Sequence, residues 1–366
     1  MDSKSVVVAM SGGVDSSVAA LLLKDKGFKV IGITMQIRER SGDWGGCCGL
    51  ESIHDAKRVA DKLKIPHYVL NFRKIFRQRV ILDFCEEYKA GRTPNPCIRC
   101  NQHIKFDALL RKAKQMNADY IATGHYARIE KINPKAKGRA QYILKRGIDP
   151  KKDQSYVLYA MTQGQLSYTL MPLGGYTKAQ IRKIAHERDL PVADKPESQE
   201  ICFIPDNNYG KFLEEYMPKE VKPGAIIDKH GRVIGEHPGV IFYTIGQRKR
   251  IGIAASEPLY VIKIDKKKNT IMVGGKDEVL SRELIADNIN FINRKKLKTP
   301  IRIEAKVRYL HDLSPATVVS LNRNKLKLRF DKPQWAITPG QAVVFYNQDV
   351  VLGGGTILSG ENSKYN

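Results

Sequence analysis

Acidic residues are scarce in this chain. Against 62 Lys and Arg stand only 38 Asp and Glu in 366 residues, a formal net charge of +24. A surface so poor in acids favours a polyanionic partner, and nucleic acid is the first candidate. Long hydrophobic runs are also missing. No apolar stretch approaches the ~18–20 residues that cross a bilayer, so no membrane partner is expected. The first motif begins at residue 11. That leaves no room for a signal or transit peptide, and the expected location is the cytoplasm of a prokaryote-like cell. Cysteine is limited to Cys47, Cys48, Cys85, Cys97, Cys100 and Cys202. In a cytosolic chain, C-x-x-C at Cys97 and Cys100 points to redox or metal work rather than a disulfide framework. There is no internal repeat and no low-complexity segment. At 42% apolar and 27% charged, the composition is that of a globular protein, and the length suggests two or three domains.

The stretch that organises the chain is Ser11-Gly12-Gly13-Val14-Asp15-Ser16-Ser17. The apolar run before it, residues 6–10, reads as a buried parallel strand. The run after it, residues 18–23, reads as a helix ending near Gly27. Strand, glycine turn and helix together present free backbone N–H groups to an anion. The glycines let the backbone approach a phosphate without a Cβ in the way. The serines add hydroxyl donors, and Asp15 is placed to hold Mg²⁺ or an ordered donor. The stretch has no Gly-Lys-Ser/Thr ending and is not GxGxxG. It resembles the SGGxDS loop of the PP-loop ATP pyrophosphatases, which split ATP between its α and β phosphates.

Further strands are expected at residues 30–35, 67–70 and 120–124, with helices over 52–63, 74–90 and 106–116. Alternation of this kind implies a parallel sheet covered on both faces. Ligands of such sheets sit at the carboxyl ends of the strands, where the glycine loop, Met35 and Gly124 would share one crevice. After residue 205 the texture changes to short β-branched runs between turn residues. The expected class is α/β. It comprises a parallel-sheet PP-loop domain (adenine nucleotide alpha hydrolase-like, 1–207), a small β-rich middle domain (208–282) and a C-terminal β-barrel (283–366). Residues 325–330 alternate as a strand with one wet, basic face. The cationic strand positions between 294 and 332 suit a surface that binds nucleic-acid backbone.

Residues 91–101, Gly-Arg-Thr-Pro-Asn-Pro-Cys-Ile-Arg-Cys-Asn, carry two prolines and no helical period, so a loop is expected. It delivers two thiols beside Arg92 and Arg99, and nearby cations raise the thiolate fraction. A hundred residues later comes Pro-Glu-Ser-Gln-Glu-Ile-Cys-Phe-Ile over 196–204. With ATGHYA at 122–127, KDQSY at 152–156 and Val307-Arg308-Tyr309, the set resembles the tRNA-specific 2-thiouridylase family nearly end to end. Members of that family thiolate the wobble uridine of certain tRNAs.

The resemblance implies roles residue by residue. Ala9, Met10, Ser11, Gly12, Gly13, Val14, Asp15 and Ser16, with Met35 and Gly124, bind ATP, accompanied by Mg²⁺. Asn95, Pro96 and Cys97 approach the target base. Cys100 is the nucleophile, and Cys202 carries sulfur as a persulfide; the two end as a transient disulfide. Lys152, Asp153, Gln154, Arg308 and Tyr309 contact tRNA, with the tRNAs for Glu, Gln and Lys as substrates. A relay protein or a cysteine desulfurase donates the sulfur. Many members have Asp where Cys97 stands. With Cys97 present, Cys97, Cys100 and Cys202 could instead hold a [4Fe–4S] cluster with one open iron. A zinc site lacks an apparent fourth ligand. Cys47-Cys48 sits in a glycine loop, Cys85 reads as core, and His125 and Lys105 lie near the expected site. Arg248-Lys249-Arg250 is either an RNA contact or a solvated face. The rival readings are another PP-loop ligase and a nonenzymatic RNA-binding protein.

Overall fold

The computed structural model describes residues 3–37, 50–132, 140–197, 201–204, 208–293, 300–322 and 324–360. Cys47 and Cys48 lie outside the described residues. The chain divides into two compact units. The first comprises Met1–Val80, Pro96–Asn207 and Asp349–Leu352; the second comprises Ile81–Asn95, Asn208–Gln348 and Gly353–Asn366.

The first unit is built on β1 (Ser5–Ala9), α1 (Val14–Asp25), β2 (Lys29–Gln36), α2 (Leu50–Leu63) and β3 (His67–Asn71). Next come α3 (Arg73–Phe76), α5 (Pro96–Cys100), α6 (Leu109–Gln115), β4 (Tyr120–Ala122), a hairpin of β5 (Ala127–Ile132) and β6 (Gln141–Arg146), α7 (Gln163–Ser167), β7 (Thr169–Leu170) and α8 (Lys178–Glu187). The central sheet runs β3-β2-β1-β4-β7, and every pairing is parallel. Val6, Val7 and Val8 of β1 are fully buried, as a strand covered on both faces requires. The chain builds outward from β1 to β3, then returns to place β4 on the other side of β1. That reversal opens a crevice at the carboxyl ends of β1 and β4. Ile181 and Ala185 of α8 join α1 in the core under this crevice. The α1 helix ends with Gly27 at φ +82°, and the Phe28 N–H donates to the Leu23 carbonyl, a glycine-dependent C-cap.

Two expectations change here. The helix foreseen at 74–90 is a helical run with a π-type segment over Arg77–Ile81. The stretch 91–101 is not all loop, because α5 begins at Pro96 and continues as a π-type segment over Asn101–Ala108. Pro96 stands at the first helical position, where its missing N–H costs nothing and its fixed φ suits the helix. Cys97 and Cys100 therefore lie one helical turn apart.

The second unit contains α4 (Leu82–Lys89), α9 (Tyr209–Tyr216), and a four-stranded sheet of β8 (Gly224–Ile227), β9 (Val233–His237), β10 (Tyr260–Asp265) and β11 (Thr270–Gly274). Its barrel uses β12 (Leu280–Phe291), β13 (Ile301–Lys306), β14 (Ser314–Ser320), β15 (Leu326–Trp335), β16 (Ala342–Asn347) and β17 (Val350–Gly360, of which the part from Gly353 on lies in this unit) in the order β12-β15-β14-β13-β16-β17. Antiparallel pairing of β12 with β17, from Leu284↔Gly360 to Phe291↔Gly353, closes it. Closure removes the exposed strand edges. Burial alternates along Leu326, Leu328 and Phe330 as expected. Within 1–207, expected as one domain, residues 81–95 belong by their contacts to this second unit. The Thr93 N–H donates to the Pro339 carbonyl at 2.8 Å, and Gln341 Nε2 donates to the Thr93 carbonyl at 2.8 Å. Tyr88 stacks on Tyr209 at 5.4 Å.

Candidate active site

The glycine loop leaves β1 and enters α1 at the reversal point of the sheet. Gly12 has φ +70°, and a Cβ there would stand 2.2 Å from the Ser52 carbonyl oxygen. Only glycine fits. The Ser11 N–H donates to Ser16 Oγ at 3.1 Å, and the Ser16 and Ser17 hydroxyls both donate to the Gly13 carbonyl, at 3.1 and 2.9 Å. These bonds hold the loop closed over the first turn of α1, whose N–H groups are the natural anion donors. Gly124 follows β4, and a Cβ on it would lie 2.8 Å from Ser16 N. The end of β4 thus packs against the backbone of the loop. Ala9 ends β1 opposite Ile33, Met10 donates its N–H to the Ile33 carbonyl, and Met35 is the penultimate residue of β2. All ten expected nucleotide residues therefore fall on the carboxyl edge of one sheet.

The charges around Asp15 were not foreseen. Lys178 Nζ, from the start of α8, donates to both Asp15 oxygens at 2.7 and 2.8 Å. Tyr126 OH donates to Asp15 Oδ1 at 2.6 Å. Burial and the Asp15 carboxylate push the Tyr126 phenol far up, so it remains a donor. Lys178 also reaches Glu197 Oε1 at 3.1 Å, and Lys152 pairs with Glu197 Oε2 at 2.5 Å. Burial alone would raise the Glu197 carboxyl, but the two lysines outweigh it and hold it below the usual carboxylate range. A second tie runs from Lys195 to Asp55 of α2. Lys178 is only 9% exposed. Its replacement leaves two carboxylates without their shared cation. Lys178→Met is expected to cost about 1.5–3 kcal/mol, the range for a hydrogen bond to a charged group. Lys178→Arg should lose less. Denaturant melts of the two variants check the difference.

The segment 152–158 anchors both cysteine-bearing stretches. Asn101, next to Cys100 and buried, donates Nδ2 to the Val157 carbonyl at 3.0 Å. Lys152 holds Glu197, five residues before Cys202. The other two residues of the expected tRNA triplet face inward. Asp153 is buried and accepts from Gly147 N, Ser155 N, Ser155 Oγ and Arg146 Nε. Gln154 Oε1 accepts the Tyr126 N–H at 3.0 Å. Their positions fix the hairpin start beside Asp15. In the second unit, Arg308 Nη2 donates to the Ile245 carbonyl at 3.0 Å and to Thr338 Oγ1, while Tyr309 is half-buried. Asn95 and Pro96 immediately precede Cys97.

Cys97 is exposed, while Cys100 and Cys202 are half-buried. Cys85 is buried, and burial pushes its thiol up to about 11, which fits a core residue. Among the described residues no three His, Cys, Asp or Glu side chains are grouped to hold a metal. The cluster expected as an alternative on Cys97, Cys100 and Cys202 thus finds no such group among the described residues.

His125 is buried beyond Gly124. Its Nδ1 shares a hydrogen with Thr123 Oγ1 at 2.8 Å, and Lys105 Nζ stands 3.5 Å from Nε2. Burial first, then the Lys105 charge, lowers its pKa well below 6.5. The imidazole is neutral in the fold and accepts from Lys105. As pH falls through 6.5, the unfolded chain takes up a proton that the fold refuses, so stability drops. Unfolding titrations between pH 7 and 5 should show this loss, and His125→Gln should reduce it, the remainder coming from His67, His237 and His311, which burial also holds below 6.5.

A parallel sheet with a glycine phosphate loop at its reversal point, followed by a small β domain and a closed β-barrel, defines a PP-loop nucleotide-binding protein with appended β modules. Residues 4–206 match the tRNA methyl transferase HUP domain, 210–275 the tRNA methyl transferase PRC-barrel domain, and 281–357 the Aminomethyltransferase beta-barrel domain. The tRNA-specific 2-thiouridylase MnmA of Acetivibrio thermocellus is 51% identical over 362 residues, covering 98% of this chain and 100% of the relative. The protein of the same name from Clostridium acetobutylicum is 51% identical over 359 residues, 97% and 99% of the two chains. The chain belongs to the tRNA-specific 2-thiouridylase (MnmA/TrmU) family. No helix among the described residues is long and apolar enough to cross a membrane.

Proposed function

We propose that this protein uses ATP to replace the C2 oxygen of the wobble uridine in tRNA by sulfur. The observation that carries this reading is the closed glycine loop at the sheet reversal, in a chain whose relatives are tRNA-specific 2-thiouridylases. The loop N–H groups and serine hydroxyls hold the ATP phosphates. Mg²⁺ accompanying ATP would meet Asp15, in competition with Lys178. The uridine O2 attacks the α phosphorus, pyrophosphate leaves, and O2 becomes part of a good leaving group, AMP.

The sulfur arrives as a persulfide on Cys202, supplied by a relay protein or a cysteine desulfurase. Its terminal sulfur attacks C2. The Cys100 thiolate attacks Cys202 Sγ, the S–S bond of the persulfide breaks, and AMP departs. The transferred sulfur is reduced from the sulfane to the thiocarbonyl level, and the two cysteines are oxidised to a disulfide. A thiol reductant returns them to the starting state. Asn95, Pro96 and Cys97 meet the target base, Lys152, Asp153, Gln154, Arg308 and Tyr309 shape or contact the tRNA site, and tRNAs for Glu, Gln and Lys are the substrates. The domains along the sequence are 1–207, 208–282 and 283–366, with residues 81–95 of the first grouped by contacts with the second unit, and the protein works in the cytoplasm.

The test is incubation with ATP, a persulfide donor, a thiol reductant and unmodified tRNA, followed by nucleoside mass spectrometry and AMP assay. The reading requires 2-thiouridine at position 34 together with tRNA-dependent AMP. AMP without thiolated tRNA would favour another PP-loop ligase, and neither product would favour a binding protein.

A further inference from the structure

The basic strands of the barrel are less available than their sequence suggests. Arg302 pairs with Asp331, and Lys327 and Arg329 both pair with Glu283. Acids answer those cations within the barrel itself. The opposite holds in the first unit for residues 73–79, Arg-Lys-Ile-Phe-Arg-Gln-Arg. Four of these seven residues are cationic. Among the described residues, no acid pairs with the side chains of Arg73, Lys74, Arg77 or Arg79.

The local fold explains how this segment presents its charge. It begins two residues beyond β3, on the carboxyl edge of the sheet that also carries the glycine loop. Phe76 is fully buried and Val80 nearly so, which fixes the run against the unit. Lys74, Arg77 and Arg79 are left exposed. The Phe76 ring meets Phe203 edge-on, with centroids 5.7 Å apart. Phe203 is the residue after Cys202, so the basic segment packs against the neighbour in sequence of the expected sulfur carrier. Arg73 adds an independent sign. Its Nε is buried and has no hydrogen-bond partner among the described residues. A desolvated guanidinium N–H without an acceptor costs about 1–3 kcal/mol, a cost that a phosphate oxygen arriving at the site would offset.

We infer that residues 73–79 form a docking surface for RNA backbone phosphates flanking the nucleotide presented to Cys202. The inference rests on the proposed tRNA substrate. Four cations within two turns match the spacing of successive phosphates better than a single binding pocket, and arginine offers a phosphate two N–H groups at once. An anionic bilayer is the weaker partner. The large apolar residues here, Phe76 and Val80, are buried, so the segment has no apolar face to insert.

The test uses the full chain with Lys74→Ser, Arg77→Ser and Arg79→Ser combined. Binding of an unmodified tRNA transcript is followed across a salt series. Each lost phosphate contact should flatten the dependence of log K on log salt by about 0.7–0.9, so the triple variant should lose about two in slope. ATP binding should stay at the wild-type level. Arg77→Lys with Arg79→Lys should keep the slope. Arg302→Ser with Lys327→Ser and Arg329→Ser should change it by less than about one, because those charges are already neutralised. A triple variant with wild-type slope and affinity overturns the surface. So does a loss of binding to phosphatidylserine vesicles with tRNA binding intact. If the wild type thiolates tRNA while the triple variant keeps its slope, the surface alone fails. If the wild type binds tRNA through this face but makes no 2-thiouridine, the proposed reaction fails and the surface stands.

Discussion

Gly124→Ala is expected to weaken ATP binding, and ATP-dependent AMP formation with it, by about ten- to a hundredfold while leaving the second unit folded. A methyl group at this position would lie 2.8 Å from Ser16 N and 2.9 Å from the Asp15 carbonyl carbon. Both atoms belong to the first turn of α1, so neither can swing aside as a side chain would. The strand end or the loop must move, and overpacking of this kind costs about 1–3 kcal/mol. Spent at the phosphate loop, that displacement lowers ATP affinity by about ten- to a hundredfold, at about 1.4 kcal/mol per factor of ten. Gly12→Ala should do at least as much, since it adds a left-handed φ to a 2.2 Å collision. Gly175→Ala is the control, because nothing stands within 4 Å of its added Cβ. Calorimetric titration with ATP reads the result, and near-normal ATP affinity in Gly124→Ala would remove Gly124 from the nucleotide site.

The second large effect separates the cysteines. Cys100→Ala and Cys202→Ala should each lower thiolation by at least about a thousandfold, because one residue carries the sulfur and the other resolves the persulfide. Groups that act as a unit are strongly non-additive, so the double variant should fall no further than either single one. Cys97 is the exposed member of the α5 pair and lies outside any metal-holding group among the described residues. Cys97→Ala should therefore keep activity within about tenfold, or roughly 1.4 kcal/mol of barrier. Iron content measured on the same anaerobic sample decides the alternative. A Cys97→Ala protein that loses iron and turnover together would restore the cluster route.

Several parts of this molecule were legible without coordinates. The apolar run 6–10 could only be a doubly covered strand, and the glycines after it could only be a close-approach turn. The alternation at 325–330 fixed which residues face the barrel interior, because a strand has a side-chain period of two. The Pro96 helix start was misread as loop. Proline at the first helical position signals a beginning, but two prolines close together read as a loop.

What remained hidden were pairings between distant residues. Asp15 and Lys178 are 163 positions apart, and neither residue type announces the other. Glu197 and Lys152 stood inside quoted motifs, yet 45 positions separate them and only the fold brings them together. Charge counts also misled. The barrel strands are as basic as they look, but Asp331 and Glu283 come alongside only when β15 pairs with β14 and β12. Sequence by itself determined the local geometry: the phosphate loop, the order of strands and helices, and the residues able to do thiol chemistry. These follow from steric limits and side-chain periods that act within a few residues. Tertiary structure alone decided which cations are neutralised and which stay open. Coulombic pairing depends on distance in space, and only the folded chain sets that distance.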